Sequence, residues 1–109
     1  MSKKNAENQE VVKTPKLTIT IEKTSERVNF NLDGDVSIYS VKKLKDVFFQ
    51  NIEGLQNVEC TLSNVNKMDT AGFQLLLLIK RELKEKNIAF QCEPSESIIE
   101  TFTFYNEEL

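Results

Sequence analysis

The sequence predicts an α/β fold with a mixed four- to five-stranded sheet flanked by about three to four helices. Three observations support it: short runs with alternating apolar residues, longer runs with apolar residues at three- and four-residue spacing, and the alternation of these two kinds of run. A chain of 109 residues, of which 39% are hydrophobic and 28% charged, is large enough for one such core and too small for two.

The first segment, "MSKKNAENQEVVKTPK", is polar and contains only two adjacent large aliphatic residues after the start methionine. It therefore offers too little apolar surface to offset the entropy lost on ordering. We predict that residues 1–16 are a flexible polar leader and that residues 17–109 form a single domain.

Two alternating runs follow the leader. "LTITI" (17–21) and "RVNFNL" (27–32) each have period two, and the turn-like "EKTSE" lies between them, which predicts an antiparallel pair of strands. "DGD" (33–35) is expected to end the second strand, because Gly34 gives the backbone freedom and aspartates favour turns.

An amphipathic helix is predicted next. Ser37 or Ser40 suits its N-cap, and Gly54 fits its end. The apolar positions, at three- and four-residue spacing, are Val41, Leu44, Phe48, Ile52 and Leu55.

The second half of the chain repeats the pattern with strands "VECTL" (58–62) and "IAFQC" (88–92), separated by a helix from about residue 71 to 86. Pro94 and Ser95 open a last helix. Helical crossovers of this length imply parallel pairing with right-handed connections, so the sheet has an antiparallel pair at its start and parallel strands after it. The apolar positions of the last helix are Ile98, Ile99, Phe102 and Tyr105.

Composition excludes several classes of function. Fourteen basic and 17 acidic residues give a net charge of -3, which argues against binding nucleic acid. The lack of histidine removes the commonest general base and metal ligand, so we expect no enzyme, no cofactor and no metal site, and the spacing around Asp33 and Asp35 does not fit a calcium loop. No apolar run is long enough to insert into a membrane, so we expect a cytoplasmic protein.

The stretch "MDTAGFQLLLL" holds the candidate site. Asp69 and Thr70 follow a strand directly and precede a helix, and the "DGD" segment follows the neighbouring strand. Functional groups gather beyond the carboxyl ends of parallel strands, so we expect these two loops to form one surface. Gly72, which costs about 1 kcal/mol relative to alanine inside a helix, is expected where a partner backbone or a ligand approaches closely.

Two interpretations of this stretch remain open from the residues alone. Asp69 and Thr70 are favoured N-cap residues, so the stretch can serve only to start a helix. A helix N-terminus also favours negative charge, so a phosphate on Thr70 is physically sensible there. The leucine run in turn fits either a buried core helix or a helix with one leucine that faces a partner protein.

The runs "RVNFNLDGDVSIYSVKKLKDVF" and "VECTLSNVNKMDTAGFQLLLLIKRELKEKNIAFQ", within about residues 17–106, resemble the STAS domain of bacterial anti-sigma factor antagonists. The resemblance implies a non-enzymatic regulator whose partner is an ATP-binding serine kinase that doubles as an anti-sigma factor. It also implies that phosphorylation of the residue after the aspartate switches binding. By position, Thr70 matches the phosphoacceptor, Asp69 the preceding acidic residue and Gly72 the glycine that opens the helix.

"MDTAGFQLLLL" also resembles a second branch of the same fold, the STAS subunit that binds the ATPase of a phospholipid-transporting ABC complex. In that branch the resemblance implies that the threonine contacts or supports the ATPase without needing phosphate. Either resemblance implies a protein partner. Our leading hypothesis is a regulator that binds it through the edge containing residues 33–40 and 67–76, and we expect a monomer or weak dimer. The predicted contact residues are Asp35, Ser37, Tyr39, Met68, Asp69, Thr70, Ala71, Gly72, Phe73 and Leu76.

Overall fold

The structure, a computed structural model, describes residues 8–104, which form five strands and three helices. The strands make one sheet in the order β1-β2-β3-β4-β5. In chain order the elements are β1 (Asn8–Thr14), β2 (Leu17–Lys23), β3 (Arg27–Val36), α1 (Val41–Asn51), β4 (Asn57–Met68), α2 (Thr70–Glu85), β5 (Ala89–Pro94) and α3 (Glu96–Phe104).

The sheet is mixed, as the sequence predicts. β1, β2 and β3 are antiparallel neighbours, whereas β3, β4 and β5 are parallel and are joined by the helical crossovers α1 and α2. Parallel neighbours need such long crossovers, because the chain must return to the starting edge of the sheet. As a result, the carboxyl ends of β3 and β4 lie side by side; a short turn connects β3 to α1, and Asp69 alone connects β4 to α2.

The core lies on one face of the sheet. Its strand residues alternate along each strand and are in register across strands, so that Ile21 faces Phe30 and Phe30 faces Cys60. The Phe30 ring stacks on Phe48 of α1 at a centroid distance of 4.0 Å, which ties that helix to the sheet. Buried strand residues on this face are Leu17, Ile19, Ile21, Val28, Phe30, Leu32, Val58, Cys60 and Leu62.

The predicted leader is wrong for residues 8–16. Residues Asn8–Thr14 form β1, which pairs with β2 through seven residues and turns back at Pro15 and Lys16. The strand is mostly exposed, and backbone hydrogen bonds to β2 hold it to the sheet together with Val12, which is half-buried against the core. The prediction rested on apolar content, which does not reveal an edge strand whose side chains are mostly exposed. The rest of the predicted leader lies outside the described residues.

The prediction that "DGD" ends the second strand is also wrong, because β3 continues to Val36. The register shifts on either side of Gly34, which has a φ of +123°, so the segment is an irregularity inside the strand. Asp35 N donates to Lys16 O at 2.8 Å, which binds this segment to the β1–β2 turn. The strand therefore continues through Gly34 with a shifted register instead of stopping there.

Two helices differ in detail from the prediction. α1 ends at Asn51, and Ile52 and Leu55 are buried in the turn that follows it. In α3 the predicted apolar positions Ile98 and Phe102 are buried, whereas Ile99 is exposed; Tyr105 lies outside the described residues. No helix within residues 8–104 combines the length and the apolar character that spanning a membrane requires.

We expect Gly34→Ala to lower the free energy of unfolding by about 2 kcal/mol or more, since an added Cβ is strained at this φ and would overlap the carbonyl oxygen of Lys16. Gly54→Ala is the matched control. Gly54 also has a positive φ, but its Cβ would meet no atom within 4 Å, so only about 1 kcal/mol should be lost. Urea unfolding measures both; equal losses would contradict the role of the Lys16 contact.

Candidate functional site

Asp69 joins the two loops at the carboxyl edge of the sheet. Its Oδ1 accepts from Gly72 N at 2.9 Å and so caps α2, while its Oδ2 accepts from Ile38 N at 2.9 Å in the loop after β3. Asp69 N in turn donates to Val36 O at 3.1 Å. The turn after β3 and the start of α2 therefore meet at one edge of the sheet, and one carboxylate holds them together. The loop that meets Asp69 is residues 37–40, because the "DGD" segment of the prediction lies inside β3.

The loop between β3 and α1 is a tight turn with its own hydrogen bonds. Ser37 N donates to Ser40 Oγ at 3.1 Å, and Ser40 Oγ donates back to Ser37 O at 3.2 Å. Ser40 is at the N-cap position of α1, which was one of the two predicted alternatives. Its hydroxyl caps no NH group of the helix and instead makes hydrogen bonds within the turn. With Ser40 fully buried, the turn presents Ile38 and Tyr39 outwards.

Ile38 and Tyr39 are conspicuous because large apolar side chains are seldom left so exposed on neighbouring positions. The exposed fraction is 61% for Ile38 and 75% for Tyr39. They stand directly beside Asp69, which holds the Ile38 amide. Together they make the turn after β3 a candidate contact surface.

Thr70 is the first residue of α2 and is exposed. Within residues 8–104 its hydroxyl makes no hydrogen bond, since the capping role belongs to Asp69. Asp69, and not Thr70, is therefore the N-cap of α2. The hydroxyl of Thr70 remains accessible at a helix N-terminus.

Gly72 is explained by packing inside the chain. A Cβ on Gly72 would lie 2.8 Å from both Cγ1 and O of Val36, and 3.0 Å from Cγ of Met68. The close approach that the sequence predicts is real, but the neighbouring backbone is the end of β3 and not a partner or ligand. The glycine lets the N-terminus of α2 sit directly on that strand end.

The predicted contact set needs a correction. Gly72, Phe73 and Leu76 are buried, and the Phe73 ring packs against Phe102 of α3 at 4.7 Å, so these side chains support the surface without reaching a partner. The leucine run follows the core interpretation, with Leu75 and Leu76 buried and the next two leucines half-buried against the core. The predicted residues with exposed or half-exposed side chains are Asp35, Ser37, Tyr39, Met68, Asp69, Thr70 and Ala71.

Sequence reasoning missed Ile38. Its position one residue before Tyr39 in "SIYS" is a usable signal, since two large apolar residues between serines fit neither the preceding strand nor the following helix. We call Ile38, Tyr39, Asp69 and Thr70 the edge surface.

We expect Asp69→Ala to lower the free energy of unfolding by about 2 kcal/mol, because it removes a charged helix cap and the bond to the Ile38 amide. Asp69→Asn keeps one acceptor oxygen and should lose about half as much. Urea unfolding measures both changes, and faster hydrogen exchange at the Ile38 amide reports the lost tether.

The control for these variants is Asp46→Asn on the exposed side of α1, which should change stability by less than about 0.5 kcal/mol. If Asp69→Ala were no more harmful than Asp46→Asn, the carboxylate would not hold the two loops.

The fold described above recurs in known proteins. A family model, the STAS domain, matches residues 18–106. No curated protein sequence matches the chain. Among solved structures, the unphosphorylated form of the anti-sigma factor antagonist SpoIIAA is 22% identical, with a TM-score of 0.66 over 81% of this chain and 80% of that chain. The phosphorylated form of SpoIIAA, described as a Bacillus cell fate determinant, matches with a TM-score of 0.65 at 22% identity over 80% of this chain and 82% of that chain.

Two further solved structures share the fold. An anti-sigma factor antagonist from Mycobacterium paratuberculosis is 13% identical, with a TM-score of 0.73 over 83% of this chain and 78% of that chain. A structure of Mglu is 22% identical with a TM-score of 0.64 over 70% of this chain, but the match spans only 19% of the Mglu chain. At these identities the structural likeness establishes the mixed sheet and its helices.

Proposed function

The chain belongs to the STAS domain family, and from that premise we propose that it is a non-enzymatic bacterial regulator of the anti-sigma factor antagonist type. In this proposal it binds an ATP-binding serine kinase or anti-sigma factor through the edge surface, and phosphorylation of Thr70 weakens the binding. The observation that carries the proposal is the accessible Thr70 hydroxyl beside exposed Ile38 and Tyr39, on loops that Asp69 holds together.

The edge surface has the features of a protein-binding patch. Tyr39 offers a large apolar body with a polar tip, and aromatic residues of this kind supply much of the energy of protein interfaces. The turn that carries it is fixed by the Ser37–Ser40 hydrogen bonds and by Asp69, so little conformational entropy is lost when a partner binds. A rigid apolar patch of this kind supports binding without a change of fold.

Position explains how a phosphate on Thr70 would act. The first turn of a helix has NH groups without intrahelical partners and a dipole that favours negative charge, so the modified domain should stay folded. The phosphate would add a charge of about -1.5 to -2 next to Asp69 and beside the apolar patch. A partner surface that covers Tyr39 would then have to desolvate that charge, which weakens the complex.

We expect Tyr39→Ala to weaken binding to the protein partner by about tenfold or more, because an exposed aromatic at an interface typically contributes over about 1.4 kcal/mol. Ile38→Ala should have a smaller effect in the same direction. Titration calorimetry with the partner identified by affinity purification from the native cells measures both.

Val11→Ala is the matched control. Val11 is 53% exposed and lies on β1, which β2 separates from β3 and the edge surface. It should bind as the unchanged protein does. Binding that is indifferent to Tyr39 but sensitive to Val11 would place the partner on another surface.

The switch is tested by incubating the protein with its kinase partner and ATP and mapping the modified residue by mass spectrometry. Thr70 should be labelled, Thr70→Ser should still be labelled, and Thr70→Ala should remain unlabelled while binding the partner. Phosphorylated protein should bind at least tenfold more weakly. Stoichiometric labelling elsewhere with Thr70 untouched would overturn the switch.

The same experiment separates the ABC-transporter alternative. A STAS subunit of such a complex should copurify with an ATPase and a permease, and its binding should not respond to ATP-dependent modification. In that case the edge surface contacts the ATPase with Thr70 bare, and Thr70→Ser should leave the affinity unchanged.

A further inference from the structure

Cys60 and Cys92 are direct neighbours across two strands. Cys60 lies on β4 and Cys92 on β5, and the parallel register pairs the two residues with each other. Both are free cysteines, and both belong to the face of the sheet that carries the core. The sequence shows two isolated cysteines 32 positions apart, whereas the structure shows a dithiol pair.

The two thiols differ in access. Cys60 is 1% exposed, while Cys92 is only half-buried on the edge strand. Cys92 lines a cavity of about 260 Å³ together with Lys80 and Lys84 of α2. This cavity has room for a small polar reagent to reach Cys92.

The backbone geometry is close to what a disulfide needs. Neighbouring strands lie about 4.8 Å apart, and disulfides span Cα separations of about 4.4–6.8 Å with Cβ atoms about 3.5–4.5 Å apart. In-register parallel residues meet the Cα condition, and the Cβ atoms need a small approach. β5 can supply it, because it pairs with β4 only through residues 89–94 and has a free edge on its other side.

We propose that Cys60 and Cys92 form a redox-sensitive dithiol site, which a peroxide oxidises to a reversible disulfide between β4 and the edge strand β5. In the first step the Cys92 sulfur attacks one peroxide oxygen, the O–O bond breaks, and Cys92 becomes a sulfenic acid as water leaves. In the second step the Cys60 sulfur attacks the Cys92 sulfur, the S–O bond breaks, and the hydroxyl departs with the Cys60 proton as water.

The order of the two steps follows from the surroundings of Cys60. A hydrogen bond with Cys92, burial and the charge of a Cys92 thiolate all raise the pKa of Cys60 well above its ordinary value. Cys60 is both protonated and shielded from solvent, so the accessible Cys92 reacts with the peroxide first. Cys60 then resolves the sulfenic acid because it lies directly beside it, and its proton leaves with the hydroxyl as water. Because the Cβ atoms must be drawn together, the disulfide is strained and glutathione should reduce it readily.

The test is to treat the folded, fully reduced protein with hydrogen peroxide and analyse it under non-reducing conditions. We expect a monomer lighter by the mass of two hydrogen atoms, no thiol available to an alkylating reagent, and a peptide pair linking Cys60 to Cys92. Reduced glutathione should restore both thiols. This experiment is independent of the edge surface, so its outcome says nothing about partner binding.

Three variants assign the roles. Cys60→Ala should accumulate a sulfenic acid at Cys92 that dimedone traps, and Cys92→Ser should leave Cys60 unreacted. The double variant Cys92→Ser with Gln91→Cys moves the thiol to the opposite face of β5 and should form no intramolecular disulfide, because Gln91 points away from the core.

The proposal is overturned if the unchanged protein keeps two free thiols at peroxide levels that modify Cys92 in Cys60→Ala. It is equally overturned if Cys92 passes directly to the sulfinic acid, or if the only disulfides formed join two molecules. Circular dichroism of each variant before oxidation confirms that the comparison is between folded proteins.

Discussion

The edge surface depends on the two hydrogen bonds that the carboxylate of Asp69 accepts. Each of its two oxygens accepts one backbone NH, from Gly72 in α2 and from Ile38 after β3, both at 2.9 Å. A charged acceptor is favoured at a helix N-terminus, where NH groups lack intrahelical partners. One side chain thereby caps the helix that follows β4 and fixes the turn that follows β3.

That bridge is possible only because the strand ends and the helix approach very closely. Gly72 allows the backbone of α2 to lie directly against Val36 at the end of β3. Gly34 has a different role, because it lets β3 pass close to the carbonyl oxygen of Lys16 in the β1–β2 turn. What these contacts leave facing solvent is a short apolar turn and one threonine hydroxyl.

The two ends of β4 and its neighbours show contrasting chemistry. At the carboxyl edge, the polar groups are held by backbone hydrogen bonds and the apolar side chains of Ile38 and Tyr39 are exposed. Along the β4–β5 pair, two sulfur atoms are brought together by strand register at the free edge of the sheet. The first arrangement suits recognition by a protein, and the second suits reaction with a small oxidant.

The sequence by itself determined the interior strands, the helices and the Asp69 turn, because burial on one face imposes a period that is visible in the residues. It could not reveal β1, which backbone hydrogen bonds hold at the edge, nor the burial of Phe73 and Leu76, which depends on how α2 rests on the sheet and α3. Only the tertiary structure decided that Gly72 serves an internal contact and that Cys60 meets Cys92. Both facts depend on the strand register and on how closely segments distant in the sequence approach each other. The pattern of neighbouring residues along the chain carries no information about either.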